Sequence, residues 1–234
     1  MSVPIEKAVT AIRSGDLATL EALLEQDRAL ATARVVDERG VGRTLLHVAA
    51  DWPGHFPNGA QTIALLVRYG ADVNARVELP HARETPLHWA ASSDDVAVLD
   101  ALLDAGADIE ASGAVFTGGA PMSDAVVFAQ WNAARRLLER GAKTTFWQAA
   151  ALGLLDEVRN GFTNAPPPSA QDITNAFWHA CRGGQQQVAE FLASRGAYVN
   201  WVGYDRKTPL RAAEESGNRE LVQWLRDAVT APSA

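Results

Sequence analysis

Thr85-Pro86-Leu87-His88-Trp89-Ala90-Ala91, followed at residue 106 by Gly-Ala-Asp-Ile-Glu, predicts a pair of short helices joined by turns. Thr85 before Pro86 predicts an N-cap and a first helical position, where the missing proline N–H costs nothing. Apolar residues at helical spacing then predict a second helix: Val98, Leu99, Leu102 and Leu103. Gly106 permits the left-handed turn that closes this helix. Because one such pair cannot bury enough apolar surface alone, its recurrence predicts a stack that shares a continuous core.

The closing glycine recurs at positions 70, 106, 141 and 196, with separations of 36, 35 and 55 residues. The first two separations are close to a repeat period of about 33 residues. The third is too long for one unit and too short for two, so it predicts a shortened unit whose second helix ends near Asn160. Residues 164–170 contain Pro166-Pro167-Pro168, which predicts a stiff, non-helical connector.

The run Gly70-Ala71-Asp72-Val73-Asn74-Ala75 and the stretch around Thr85 resemble the ankyrin-repeat family consensus, and the resemblance covers residues 5–228. The chain is also similar to small stand-alone bacterial ankyrin proteins. The resemblance implies an all-α ankyrin-repeat solenoid of about seven helix–turn–helix units, one shortened, with irregular finger loops. We expect a capping repeat and first finger in 1–43, repeats including the shortened unit in 44–160, the connector in 161–170, and two repeats with a tail in 171–234.

Composition argues against several classes of function. The net charge of −7 disfavours binding to nucleic acid or an anionic membrane, and no apolar run is long enough to span a bilayer. The single cysteine, Cys181, replaces a packing alanine, so we expect a buried, unreactive thiol and a reducing, cytoplasmic location. Five scattered histidines and one cysteine predict no metal site. No nucleophile, phosphate-loop or paired-carboxylate motif is present, so we expect no cofactor and no enzymatic activity.

His47 and His88 occupy the histidine position of the repeat motif, where the resemblance implies that the imidazole ties adjacent loops together by hydrogen bonds. In later units other residues stand at this position. Ser123 is predicted to occupy it in the third complete repeat. Trp147 and Trp178 are predicted to occupy it around the shortened unit and to rebuild the contact between repeats there.

The resemblance also implies that a partner binds on the concave face, which is lined by the first helices and the fingers. The position after the histidine position and the position one turn later supply candidate contact residues: Trp89, Asp124, Gln148, His179 and Arg182. Aromatic and arginine side chains are the usual anchors of interfaces. For Trp89 the alternative that it covers apolar surface between two first helices stays open.

Loops supply further candidates. About five extra residues are inserted between two helices near residues 51–59, where Trp52, His55 and Phe56 form either a recognition surface or a local core of their own. Arg83, Trp201 and Tyr204 lie in fingers. These fingers either present an ordinary solvated surface or hold a peptide or acidic ligand between residues 76–83 and 201–207. In the third finger, residues 112–119, an aromatic ring at position 116 either closes over a ligand or packs on its neighbour.

We therefore expect a monomeric protein–protein interaction module that binds a protein or peptide on its concave face. The alternative is a small-molecule-binding protein or atypical enzyme with a pocket at the break between the shortened unit and the C-terminal repeats. Asp124, Gln148, His179 and Arg182 are the polar groups that would line such a pocket. The first hypothesis predicts an open groove, and the second predicts an enclosed cavity with converging ionisable groups.

Overall fold

The structure, a computed structural model, describes residues 3–37, 40–78 and 83–230. The chain divides into two compact units, Met1–Lys143 and Thr144–Ala234. Within each unit the described residues form helices in consecutive pairs, and the first helix of a pair contacts the first helix of the neighbouring pair. This is the stacking that the recurring helix pair predicts.

The first unit contains four helix pairs and a two-stranded hairpin. Its helices are α1 (Val3–Ser14), α2 (Leu17–Gln26), α3 (Leu45–Ala50), α4 (Gly59–Arg68), α5 (Pro86–Ser92), α6 (Val96–Asp104), α7 (Pro121–Val127) and α8 (Trp131–Glu139). The hairpin forms the first finger, in which β1 (Arg34–Val36) pairs antiparallel with β2 (Gly42–Thr44), and Val35 lies opposite Arg43.

The second unit contains three helix pairs. Its helices are α9 (Phe146–Leu152), α10 (Leu155–Gly161), α11 (Ala170–Arg182), α12 (Gln186–Ser194), α13 (Pro209–Ser216) and α14 (Arg219–Thr230). The short α10 is the second helix of the predicted shortened unit. Residues 162–169, which include the three prolines, are not α-helical. Among the described residues the two units thus hold seven pairs, and the predicted all-α solenoid is confirmed. The finer division into cap, repeats and connector stays a prediction.

Local sequence determines where the helices begin. Proline stands at the first or second position of α5, α7 and α13, where it removes no intrahelical hydrogen bond. Reciprocal capping boxes begin α3, α9 and α11, and also α5, which has the proline as well. The paired residues are Thr44 with His47, Thr85 with His88, Thr145 with Gln148, and Ser169 with Asp172. The apolar faces behind these caps are rich in fully buried Leu and Ala, which lets short helices approach closely.

The closing glycines have the backbone conformation that the sequence predicts. Gly70, Gly106, Gly141 and Gly196 have φ between 92° and 101°, a region that residues with a Cβ rarely adopt. Each follows the end of a second helix, and the next residue donates its N–H to a carbonyl of that helix, as in Ala107 to Leu102 at 2.9 Å. The predicted left-handed helix ends are confirmed.

Candidate functional site

Two buried histidines connect neighbouring repeats in the first unit. Nδ1 of His47 accepts the N–H of Thr44 (3.3 Å), and Nε2 donates to the carbonyl of Glu84, the residue before the next helix cap (3.2 Å). His88 repeats this geometry with Thr85 (3.1 Å) and the carbonyl of Gly119 (3.2 Å). Burial lowers the pKa of both imidazoles to about 4, so they are neutral near pH 7. The predicted linking role is confirmed.

Trp178 makes the same connection in the second unit. Its side chain is fully buried, and Nε1 donates to the carbonyl of Lys207 at 2.9 Å. Lys207 precedes Thr208, the N-cap of α13, just as Glu84 precedes Thr85. An indole N–H therefore replaces the imidazole N–H, and the prediction that Trp178 rebuilds this contact is confirmed.

The sequence register was wrong at α9. Gln148, not Trp147, stands at the histidine position: its Oε1 accepts the N–H of Thr145 at 2.8 Å and completes a capping box. The cause is a turn after the first helix that is one residue shorter, since α9 and α5 both have seven residues. The left-handed residue after the helix, Gly153, lies eight positions after its N-cap, whereas Asp94 lies nine positions after Thr85. Counting back from the glycine therefore shifts the assignment by one residue. Gln148 is buried, and its role in partner contact stays a prediction.

Two carboxyl groups meet in the first unit beside Trp89. The half-buried Trp89 donates its Nε1–H to a carboxylate oxygen of Glu84 at 3.2 Å. The Asp124 side chain and the N–H of Val115 also lie close enough to the Glu84 side chain to shift its pKa. Asp124 is only 1% exposed, and burial followed by the Glu84 charge raises its pKa to about 8. Burial also raises the pKa of Glu84.

The ring of Trp89 is held on other sides as well. The His47 ring meets it edge-on with centroids 5.1 Å apart, and the Arg43 guanidinium lies 5.9 Å from its centroid. Arg43 also pairs with Asp51 at 3.0 Å. Trp89 thus covers the contact between first helices and still keeps exposed surface. Its contact with a partner stays a prediction.

An exposed apolar surface lies next to the carboxyl pair. Phe116, in the third finger, is 71% exposed and packs on Phe128 with ring centroids 5.8 Å apart. Phe128 and Val115 are exposed too. The ring at position 116 therefore packs on its neighbour but remains accessible. The sequence reasoning missed Glu84 and Phe128. Glu84 stands directly before an N-cap, and Phe128 follows Asp124 by four residues, which was the signal for one shared helix face.

In the second unit, aromatic rings surround His179. This side chain is 4% exposed, and its ring contacts Trp147 (4.6 Å), Trp178 (5.1 Å) and Tyr204 (5.5 Å). Burial and then the Arg182 charge lower its pKa to about 3, and Nδ1 has no hydrogen-bond partner among the described residues. The Arg182 guanidinium lies 5.6 Å from the Trp178 ring centroid.

The finger that precedes α13 carries the exposed part of this aromatic surface. Tyr204 is 53% exposed, and its ring contacts Trp178 (5.3 Å) and Trp201 (5.9 Å). Trp201 itself is half-buried, and Val202 beside it is exposed. The structure thus brings together four predicted residues of this unit, His179, Arg182, Trp201 and Tyr204, around Trp178.

The inserted loop between α3 and α4 has eight residues, 51–58, whereas three residues join α5 to α6. Trp52 is 72% exposed, His55 is exposed and Phe56 is half-buried, so the indole does not enter a local core. The loop backbone is held by its neighbours instead. The N–H of His55 donates to Asp95 at 2.6 Å, and the side chain of Asn58 donates to the carbonyl of Gly15 at 2.9 Å.

Arg83 is exposed, and its carbonyl accepts a hydrogen bond from Arg76 at 2.7 Å. Residues 79–82 of this second finger lie outside the described residues. The second finger belongs to the first unit and residues 201–207 belong to the second unit. The proposed ligand between these fingers stays a prediction.

The predicted pocket at the break between the shortened unit and the C-terminal repeats is not lined by the residues expected from the sequence. Asp124 belongs to the first unit, whereas Gln148, His179 and Arg182 belong to the second. At the break itself, an open cleft of about 330 Å³ lies beside the connector. The residues that line it are Phe146, Trp147, Gly161, Asn164, Pro166, Pro167, Pro168, Asp172 and Asn175. None of the four residues named from sequence is among them.

Other expectations concern single groups. Cys181 is fully buried, so its predicted burial is confirmed, and burial raises the pKa of its thiol. Its lack of reactivity stays a prediction. In the part of the chain that the structure describes, no His, Cys, Asp and Glu side chains are grouped so that they could hold a metal ion. No helix of the described residues is long and apolar enough to cross a membrane.

Comparison with known protein families agrees with this architecture. The family model for ankyrin repeats, in three copies, matches residues 8–113. This region of the chain consists of ankyrin repeats. Ankyrin repeats are generally protein–protein interaction modules and are typically non-enzymatic. No curated protein sequence matches the chain. The helix pairs from α7 onward lie beyond the matched residues, and it is their geometry that extends the repeat pattern to α14.

Proposed function

We propose that the protein binds a protein or peptide partner on the face that its first helices and fingers form. The observation that carries the proposal is Tyr204, whose ring is about half exposed and yet rests on the rings of Trp178, His179 and Trp201. An aromatic ring that is already fixed loses little conformational entropy when a partner covers it, so such rings serve as interface anchors. The proposal includes no catalytic step.

The test places a photo-crosslinking benzoylphenylalanine at position 204 and, as a control, at position 190. Glu190 is exposed on α12, the second helix of its pair. Partner cross-links from position 204 and none from position 190 are the expected outcome. Tyr204→Ala should weaken binding of the captured partner at least about fivefold, the loss of one anchor, and Tyr204→Phe should preserve it. Equal cross-linking from both positions would contradict the proposed face.

The same proposal includes a monomeric protein acting in the cytoplasm. The location is supported by Cys181, a single buried thiol that needs no oxidising compartment. The monomer is tested by light scattering coupled to size-exclusion chromatography, where a mass near 25.0 kDa is expected. A mass of twice that value would contradict the predicted monomer and indicate a dimer.

A second candidate function is small-molecule binding in the cleft beside the connector. The observation that favours it is Asn175 at the cleft wall, whose Oδ1 is buried and has no hydrogen-bond partner among the described residues. Phe146, Trp147 and the prolines add apolar walls, a composition typical of ligand sites. A ligand-observed NMR screen of metabolites tests this candidate. Hits that Asn175→Leu abolishes would support it, and hits that this variant leaves unchanged would exclude the cleft.

A further inference from the structure

The finger before α13 carries an exposed arginine close to its exposed aromatic ring. Tyr204 and Arg206 begin and end one short turn, Tyr204–Arg206, and both residues are exposed. Their Cα atoms can be no more than about 7 Å apart, because only two residues of backbone separate them. Arg206 makes no hydrogen bond and no ion pair within the part of the chain that the structure describes. Its guanidinium is therefore free to bind a group that arrives with a partner.

The backbone of this turn is closed by hydrogen bonds. Asp205 and Arg206 have φ of 53° and 57°, a left-handed conformation that costs a residue with a side chain roughly 1–3 kcal/mol. The N–H of Gly203 donates to the carbonyl of Lys207 at 3.0 Å, and the N–H of Lys207 donates to the carbonyl of Tyr204 at 3.0 Å. These bonds hold Arg206 in place beside the ring, so a partner that binds it has little backbone left to order.

An open cleft of about 470 Å³ lies beside this arginine. The residues that line it are Arg206, Lys207, Arg211, Glu214 and Glu215. Glu214 pairs with Arg211 at 2.9 Å, and Glu215 pairs with Lys207 at 2.8 Å. Both carboxylates of the cleft are thus already neutralised, and Arg206 is the cation of the cleft that has no partner among the described residues.

The elements around the cleft add positive charge. Arg226 of α14 pairs with Glu214 at 3.2 Å. Burial lowers the pKa of Arg182 on α11, and the charges of Asp205 and Glu215 oppose this shift, so Arg182 lies near both carboxylates. Helix α9 carries no charged side chain. The finger, α13 and these two arginines together hold five cations and three carboxylates, although the net charge of the whole chain is −7.

We propose that Arg206 receives an acidic side chain, aspartate or glutamate, of the partner that covers Tyr204. The guanidinium donates two N–H groups to the carboxylate, and a neighbouring apolar residue of the partner lies on the ring. A partner that covered the ring without an acceptor would leave the guanidinium desolvated and unpaired, and a basic partner residue would be repelled. The inference rests on the proposed function and adds to it the chemistry of the partner at this site.

The test uses the full chain and two matched probes, the capped dipeptide phenylalanyl-glutamate and its neutral isostere phenylalanyl-glutamine. The readout is the indole N–H resonance of Trp201, whose ring contacts Tyr204 and which is assigned among the seven tryptophans with Trp201→Phe. Both probes should shift this resonance saturably, and the glutamate probe should bind about fivefold more tightly, the effect of one exposed ion pair of good geometry. At about 1 M salt most of this difference should disappear, because the Debye length falls to about 3 Å.

A matched pair of variants assigns the preference to one arginine. Arg206→Gln should remove the preference for the glutamate probe and leave the affinity for the glutamine probe unchanged. The control is Arg211→Gln, since Arg211 lines the same cleft but is already paired with Glu214. This control should keep the preference within about twofold of the wild-type value. Unchanged resonances of the other tryptophans verify that both variants are folded.

Equal affinities for the two probes, a preference that Arg206→Gln leaves unchanged, or no shift with either probe at millimolar concentration would overturn the inference. The partner captured by cross-linking from position 204 separates this failure from failure of the proposed function. Arg206→Glu should weaken binding of that partner at least about fivefold. If the partner binds this variant as tightly as the wild-type chain, the proposed face stands and the acidic side chain is excluded. If no partner is captured from position 204, the proposed function fails, and the inference that rests on it fails too.

Discussion

The two units connect neighbouring repeats at the same place with different side chains. In the first unit, His47 and His88 each perform two tasks: Nδ1 caps the residue's own helix, and Nε2 binds the carbonyl before the next helix. In the second unit other side chains perform these tasks. Gln148 caps α9, and Trp178, whose indole can only donate, binds Lys207. The fold therefore requires a directed N–H at this position and does not require an imidazole.

The difference has an electrostatic consequence. Imidazoles buried in their neutral form lose hydrogen-bond geometry when they are protonated, whereas an indole and an amide do not titrate in this range. The linking contacts of the first unit should therefore respond to acid, and the link through Trp178 should not. Substitutions that exchange these groups can break or sharpen this comparison.

The largest effect is expected from Trp178→Ala. The change removes a fully buried indole and its bond to Lys207, and large-to-small substitutions of this kind cost about 3–5 kcal/mol. Trp178→Phe keeps most of the volume and removes the N–H, so it should cost about 1–2 kcal/mol. Urea unfolding followed by circular dichroism measures both. If Trp178→Ala lowered the free energy of unfolding by less than Trp178→Phe does, the indole would not be the link.

Acid should destabilise the first unit through its histidines. The folded-state pKa of His88 is about 4, below its model value of 6.5, so the unfolded state binds the proton more tightly. Stability from neutral His88 is present above pH 6.5 and is lost as pH falls toward 4, by about 3 kcal/mol. His88→Gln, which copies Gln148, should remove that part of the acid loss in unfolding free energies measured across this range. Gln148→His should add a similar loss, and no change in either variant would contradict the assigned roles.

Much of the fold could be predicted from residues whose effect is local. Thr85 before Pro86 determines a helix start, and a glycine such as Gly106 determines a left-handed helix end, whatever the rest of the chain does. The prediction failed at Gln148 because the turn after α9 is one residue shorter than the turn after α5. Counting back from Gly153 with the spacing of α5 places the histidine position at Trp147, whereas the cap contact places it at Gln148. The contact at the helix N-cap determines the register, and residue spacing alone does not reveal this contact.

The candidate site was less predictable, because it depends on contacts between repeats. Asp124 and His179 were selected as exposed contact residues, yet both are buried, since the neighbouring Glu84 and Tyr204 cover them. Glu84 lies forty residues from Asp124 in sequence. Their pairing follows from the stacking of α5 on α7, which a single repeat does not encode.

A smaller effect should distinguish the turns that follow α5 and α11. In the first unit, Ser93 donates its hydroxyl to the carbonyl of Ala50 at 3.2 Å. In the second unit, Gly183 occupies the matching position after α11, and a Cβ there would overlap the carbonyl oxygen of Ala151. Gly183→Ala should therefore cost about 1–3 kcal/mol by steric overlap, and Ser93→Ala about 1 kcal/mol by loss of one hydrogen bond. Thermal unfolding of the two variants checks this order, and a neutral Gly183→Ala would mean that this turn relaxes freely.

The smallest effect on stability is expected in the inserted loop of the first unit, which has no counterpart in the second. Trp52 is 72% exposed, so Trp52→Ala should change the free energy of unfolding by less than about 0.5 kcal/mol. Asp95→Ala should cost about 1–3 kcal/mol, since the buried carboxylate accepts the N–H groups of His55 (2.6 Å) and Val98 (3.1 Å). If the loop is a recognition surface, Trp52→Ala will weaken partner binding at unchanged melting temperature. If partner binding is also unchanged, the exposed indole is not part of the recognition surface, and the contribution of the insertion lies in the contacts of Asn58 with Gly15 and of His55 with Asp95.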